Sequence, residues 1–322
     1  MSNLKSFLQA EIPKINLVLH KELGVLSPLV RAVGEHVLLA GGKRLRPILT
    51  LLMSRCLGRT GDDIYPLACS LEFLHSATLI HDDILDDADV RRGRDATHMV
   101  FGVKRAILAG DALLALANMI VARYDIPAMN FSVAEAILKT ASGEVEEINN
   151  LRNPEMDEKT YLEIVRGKTG FLIQAACACG AMISLASRDV RDRASSFGMN
   201  LGIAFQLVDD ALDYAADAPL LGKPVGNDIR EGKITLPLIL HLKSLPLGER
   251  QRLLDDISGD RLTEERIREL INSIQGAGLD EKVRQEAGVY LEEALDSLMT
   301  FPESPERSLM QEMVDLVRTR NF

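Results

Sequence analysis

Residues 65–87 read YPLACSLEFLHSATLIHDDILDD, and this stretch decides the fold. From Tyr65 to Ile80 the apolar residues run too thickly for a half-exposed strand, so the stretch reads as one long buried helix. From Asp82 onward it turns acidic. At about 3.6 residues per turn, Asp82 and Asp86 stand one above the other, with Asp83 beside them. Stacked carboxylates repel, and the partly negative C-terminal end of a helix raises the cost. A divalent cation removes it. Mg2+ fits the donor type, because it takes few carboxylates, keeps waters and fills its shell with phosphate oxygens. One such cluster is ordinarily a solvated helix end. This chain carries a second, Asp209-Asp210-Ala211-Leu212-Asp213, with Asp at the same i, i+1 and i+4 spacing behind another apolar helix. Stability alone gives no reason to build that twice. A calcium loop is excluded, since it needs Asp at alternate positions, a central Gly and a Glu at its last position.

Outward from these motifs the chain stays helical. A helix over 28–39 has Ser27 as N-cap and Pro28 in its first turn, Gly41-Gly42 stops it, and Pro47 opens the next. Further helices are expected over 65–87, 104–124, 132–150, 160–183, 190–216, 235–244, 262–275 and 280–298, with a last one from Pro305. Residues 219–232, rich in Gly, Pro and Lys, read as a loop. There is no strand alternation of any length and no 20–50-residue repeat. No polar linker separates two hydrophobic segments, so residues 1–322 are expected to form a single domain, one large all-α helical bundle. Cys56, Cys69, Cys177 and Cys179 lack zinc spacing and read as core thiols. The first residues have no signal-peptide core, and no uninterrupted apolar run reaches about 18 residues, so a cytoplasmic chain without a membrane span is expected. A net charge of −10 argues against nucleic acid as a partner.

Basic groups follow both acidic motifs. Gly41-Gly42-Lys43-Arg44-Leu45-Arg46-Pro47 sets cations and exposed backbone N–H groups beside a helix start, an anion site in the making. Arg91-Arg92-Gly93-Arg94 trails the first Asp cluster, Lys168-Thr169 interrupts an apolar helix, and Lys223 and Lys233 bracket the loop after the second. Any one of these is ordinarily solvated charge. Together they suggest two diphosphates, one held through metals and one by Lys and Arg alone.

In this order the motifs resemble the trans-isoprenyl diphosphate synthase family, from Gly41 to about Pro237. The signs are Gly-Gly-Lys-Arg-Leu-Arg-Pro at 41–47, His-Asp-Asp-Ile-Leu-Asp at 81–86 with Arg91-Arg92-Gly93, Lys168-Thr169, Gln206 ahead of Asp209-Asp210-Ala211-Leu212-Asp213, and Gly232-Lys233. The resemblance is to the long-chain, octaprenyl diphosphate synthase-like subgroup that supplies quinone side chains. Some members carry a Pro after Arg-Arg-Gly; this chain has Arg94-Asp95-Ala96-Thr97 there.

The resemblance implies an all-α isoprenoid synthase bundle with a central apolar cavity. It implies two or three Mg2+ ions bridged by the substrate diphosphate and held by Asp82, Asp86 and Asp209. Asp83, Asp210 and Asp213 would give close support. Arg91, Lys168 and Lys223 would neutralise the allylic diphosphate, with Lys233 nearby. Gly42, Lys43, Arg46, His75 and Arg92 would hold isopentenyl diphosphate. Thr169 and Gln206 would present oxygens to the developing carbocation. Thr78, Ala77, Leu74 and Ser70, upstream of Asp82 on the same helix, would set product length, and the small Thr78 and Ala77 imply a long product. A homodimer is implied too, with transient membrane contact for product release. Three other readings stand beside this one. A terpene cyclase needs no isopentenyl site and usually loses the second Asp cluster. A non-catalytic subunit of a heteromeric synthase usually loses Asp motifs. A shorter-chain farnesyl or geranylgeranyl diphosphate synthase shares every motif.

Overall fold

The structure, a computed structural model, describes residues 3–215 and 225–320. In chain order the helices are α1 (Asn3–Glu22), α2 (Pro28–Leu39), α3 (Leu45–Cys56), α4 (Ile64–Leu85), α5 (Thr97–Phe101), α6 (Val103–Ala122), α7 (Pro127–Asn149), α8 (Glu158–Val165), α9 (Phe171–Ile183), α10 (Arg188–Leu212), α11 (Asn227–Arg230), α12 (Leu236–Ser244), α13 (Leu247–Ser258), α14 (Glu264–Gly276), α15 (Leu279–Leu298) and α16 (Pro305–Arg318). A 3-10 turn follows α1, and a π turn, Arg166–Gly170, joins α8 to α9. Among the described residues the only strands are β1 (Val90–Arg91) and β2 (Arg94–Asp95), paired antiparallel. The all-α expectation holds. The residues divide into two compact units: Met1–Ile137 with Leu172–Gly198 and Ser297–Glu312, and Leu138–Phe171 with Met199–Asp296 and Met313–Phe322.

In the first unit α4 packs against α1, α3 and α6. Its positions from Leu67 to Leu74 are all buried, which is why its sequence shows no polar face. The one acid in that run, Glu72, is met by Arg44 at 2.8 Å, and Arg44 also donates to the Leu38 carbonyl at 2.8 Å. Breaking so buried a pair from one side costs about 3–5 kcal/mol. α6 turns Ala106, Ala109, Leu113, Leu116, Ala117 and Ile120 into this core. By length and composition alone α6 is apolar enough to cross a membrane, a test that a core helix packed as α6 is on α4 also passes. The uninterrupted-run criterion misses it because Lys104, Arg105 and Asp111 break its apolar run. All four cysteines are buried free thiols of this unit.

Several boundaries differ from the sequence expectation. α4 ends at Leu85 rather than Asp87, with Asp86 as its cap and Asp87 in the left-handed region at φ 49°. α1 and α13 were not anticipated: α1 carries Pro13 in its interior, and the apolar positions of α13 are sparse among charges. The loop after α10 contains α11, a single helical turn. Lys223, expected to contact diphosphate, lies outside the described residues.

Candidate active site

In the first unit, the elements expected to bind anions gather round α4. The segment between α2 and α3 turns at Gly41 (φ 81°) and at Arg44, the residue before α3, whose φ is 50°. The hairpin β1–β2 turns through Arg92 (φ 52°) and Gly93 (φ 73°), the two positive φ values a tight hairpin demands. That turn carries Arg92 to the Gly41 carbonyl, and a Cβ on Gly42 would lie 2.9 Å from the Arg92 guanidinium. Arg46 and His75 share this neighbourhood. Burial, with Arg92 adding to it and Glu72 opposing, brings the Arg46 guanidinium down to about 10. Its Nε is buried without a hydrogen-bond partner. Burial and then Arg46, Arg92, Arg91 and Arg44 push the His75 imidazole well below its usual range. Lys43 is exposed at the edge of the group.

His75 and Asp82 are seven residues apart on α4, about two turns or 10 Å along the helix. Asp82 and Asp86 remain one turn apart, as the Asp86 N–H donates to the Asp82 carbonyl at 2.8 Å. Asp83 instead turns into the unit, 1% exposed, and Arg91 donates to it. Burial raises the Asp83 carboxyl and Arg91 opposes that rise. Leu74 and Ala77 are fully buried, while Thr78 is partly exposed and donates to the His75 carbonyl at 2.9 Å.

In the second unit, one hydrogen-bonded chain ties the π turn to α10. The Thr169 hydroxyl donates to Gln206 Oε1 at 2.7 Å, and Gln206 Nε2 donates to Asp210 Oδ1 at 2.7 Å. Tyr161 completes Asp210 with a 2.5 Å bond to Oδ2. Burial pushes the Asp210 carboxyl up to about 7, against these two donors. Asp213 accepts the backbone N–H groups of Asn227 at 3.1 Å and Asp228 at 3.0 Å, so it caps α11. Asp209 alone of the three is turned away from these bonds, and it pairs with Arg320, whose guanidinium lies 4.9 Å over the Phe205 ring.

Lys168 sits in the π turn, the kind of local bulge that aims a side chain out of helical register. It is bound by Glu144, 3.1 Å away, and by Glu147. Burial works against its charge, but Glu147 and Glu144 outweigh it and hold the ammonium at about 12. Lys233 contacts Glu231 at 2.6 Å and Glu147 at 3.8 Å. A cavity of about 170 Å3 opens here, lined by Glu147, Lys168, Gln206, Asp210, Asp228 and Lys233 with the apolar side chains of Tyr161, Ile164 and Val165 among others.

A family model described as polyprenyl synthetase matches residues 27–274. The chain belongs to the polyprenyl synthetase family. Like the family's other members, this polyprenyl synthetase is a trans-prenyltransferase with the all-α isoprenoid synthase fold. It is 32% identical to heptaprenyl diphosphate synthase component 2 of Bacillus subtilis, over 98% of this chain and 90% of the relative. It is 31% identical to octaprenyl diphosphate synthase of Escherichia coli, over 92% of this chain and 91% of the relative. A crystal structure of a Caulobacter crescentus polyprenyl synthase, complexed with calcium and isoprenyl diphosphate, is 33% identical and superposes with a TM-score of 0.91, covering 99% of this chain and 97% of that one.

Taken unit by unit, the carboxylates suit a hard divalent cation by donor type: Asp82 and Asp86 in the first offer oxygen only, and in the second the Asp209 carboxylate already faces a cation, Arg320. The other three aspartates are engaged by Arg91, by Tyr161 with Gln206, and by the start of α11. Among the described residues no three His, Cys, Asp or Glu side chains form a ready cage. Sequence reasoning missed Tyr161, Glu144, Glu147 and Arg320. Only Glu144 and Glu147 carried a signal, two acids three apart on one face of an amphipathic helix.

Proposed function

We propose that this polyprenyl synthetase joins an allylic diphosphate to isopentenyl diphosphate, repeatedly, to give a long all-trans prenyl diphosphate for quinone side chains. The observation that carries the reading is the buried, partnerless Arg46 Nε beside His75 and Arg92. A cationic cluster of that kind, with no acidic motif of its own, suits a diphosphate bound without metal. Gly42, Lys43, Arg46, His75 and Arg92 form this isopentenyl diphosphate site. Lys168 and Lys233, with Arg91 and Lys223, serve the allylic diphosphate.

Asp82, Asp86 and Asp209 would hold Mg2+, which supplies positive charge to the departing diphosphate. The allylic C–O bond breaks and the diphosphate leaves with the electron pair. Arg91, Lys168 and Lys233 stabilise the charge that develops on it. Thr169 and Gln206, fixed to each other and to Asp210, turn their oxygens toward the allylic cation. The alkene of isopentenyl diphosphate attacks that cation, and the released diphosphate accepts the proton. Aliphatic walls keep water from quenching the cation.

Residues 1–322 act as one polyprenyl synthase domain, in the cytoplasm, as a homodimer. The name of the Bacillus relative, a component 2, favours one alternative: a subunit of a two-component synthase. Both readings meet one experiment. The purified chain is incubated with isopentenyl diphosphate, farnesyl diphosphate and Mg2+, and its products are sized. Long products from the single chain support the proposal. Turnover undiminished by excess chelator rules out the metal role, and turnover appearing only with a second protein favours the heteromeric reading.

A further inference from the structure

The second unit contains a close contact whose purpose the proposed reaction does not explain. A Cβ on Gly143 of α7 would lie 2.8 Å from the Lys168 backbone nitrogen, and one on Gly167 would lie 2.8 Å from the Gly143 Cα. Two glycines thus let α7 touch the π turn backbone to backbone. The contact brings Glu144 and Glu147, one turn of α7, level with Lys168. Glu147 Oε2 contacts the Lys168 ammonium and is 3.8 Å from the Lys233 ammonium. One carboxylate oxygen therefore serves two cations. The side chains involved are only 15–24% exposed, so solvent screens them weakly.

An ammonium whose protons point at carboxylates is a poor ligand for another anion until the carboxylate is displaced. A bare diphosphate brings charge of the same sign as Glu147 and must compete with it. A diphosphate carrying divalent cations arrives with that charge largely cancelled. We infer that Glu147 is a positioning residue that makes diphosphate capture in this part of the chain conditional on metal: it holds Lys168 and Lys233 in place yet withholds them from uncomplexed anions. The inference rests on the proposed role of Lys168 and Lys233 toward the allylic diphosphate.

The test is calorimetric binding of inorganic diphosphate to the full chain, with Mg2+ and with excess EDTA. Saturating isopentenyl diphosphate, present throughout, occupies the metal-independent cluster around Arg46, and wild type should then bind inorganic diphosphate far more weakly in EDTA. Glu147→Gln should gain about tenfold or more in EDTA while changing by less than about threefold in Mg2+, because the lost negative charge matters only to the bare anion. Retained binding in Mg2+ also certifies that the variant is folded. If Glu147→Gln does not fold, Glu144→Gln, which removes the other carboxylate on Lys168, should shift the same ratio by a smaller factor. An unchanged ratio of the two affinities in a folded variant overturns the inference. Lys168→Ala separates the two levels. It should weaken binding in Mg2+, and if it leaves binding intact under both conditions, the assignment of Lys168 to diphosphate itself falls.

Discussion

At the scale of the residue, equivalent letters in the two Asp motifs have different surroundings. Asp82 sits at the C-terminal end of α4, where charge opposes the helix dipole. Asp82→Ala should lower kcat by about a thousandfold, the scale of losing a preorganised charge contact, with a melting temperature equal to wild type or higher. Asp209→Ala should lose as much activity without gaining stability, since it also removes the partner of Arg320. Unfolding of both variants, with a fully active folded remainder, would make the motifs structural. Lys43→Ala and Arg46→Ala should raise KM for isopentenyl diphosphate and spare the allylic substrate; the opposite selectivity in steady-state kinetics would exchange the two sites. His75 has a pH signature whose sign is fixed. Burial and its arginine neighbours both disfavour imidazolium, so in the substrate-free protein it stays neutral below the ordinary imidazole range. A bound diphosphate adds negative charge and should move the titration upward, which imidazole carbon-bound proton shifts will follow by NMR. No movement on adding inorganic diphosphate would place the anion elsewhere. The aspartates were legible because two copies of one spacing stood out, Lys168 because it interrupts an apolar run, and Gln206 only through the resemblance. Tyr161 and Arg320 were not, because a lone Tyr or Arg on a helix carries no pattern until the fold brings it to an acid.

At the scale of the element, α4 was readable almost whole. Its burial on all sides removes polar residues, and that absence is itself the signal. The hairpin β1–β2 was not readable, since strands of two residues leave no alternation and an Arg-Gly turn is a weak cue. The π turn was hinted at only by Lys168-Thr169 interrupting an apolar run, and periodicity cannot tell a five-residue bulge from a continuous helix. α4 also carries the proposed ruler of product length. Each turn upstream of Asp82 lies about 5.4 Å farther from the chemistry. Ala77 is fully buried, whereas Thr78 is partly exposed. Thr78→Tyr should therefore shorten the main product to about fifteen or twenty carbons, each five-carbon unit excluded forgoing about 3–4 kcal/mol of burial. Ala77→Tyr should shorten it too, with a fall in melting temperature from overpacking. Unaltered product length in a well-folded Thr78→Tyr enzyme would move the growing chain to another face.

At the scale of the whole molecule, the all-α class was legible, but the number of helices, the hairpin β1–β2 and the division into two compact units were not. Both units draw on segments distant in sequence, so no linker of changed composition marks a boundary. The proposed homodimer needs a surface to form through. Ile107, Leu108 and Met119 on α6 and Phe131 on α7 are exposed, at 40–69%, and an apolar face of that kind commonly meets a second copy. The chain should sediment as a dimer, and Leu108→Glu with Phe131→Glu should shift it toward monomer; a wild-type monomer at micromolar concentration would remove the homodimer from the proposal. The buried thiols have a consequence of another sort. Cys56, Cys69, Cys177 and Cys179 all belong to the first unit, and the residues of the second unit include no cysteine. Pulse alkylation followed by mass spectrometry is therefore a clock that runs only when the first unit opens. Set against circular dichroism, which follows the helices of both units, it shows whether the first unit opens ahead of the rest without any engineered label.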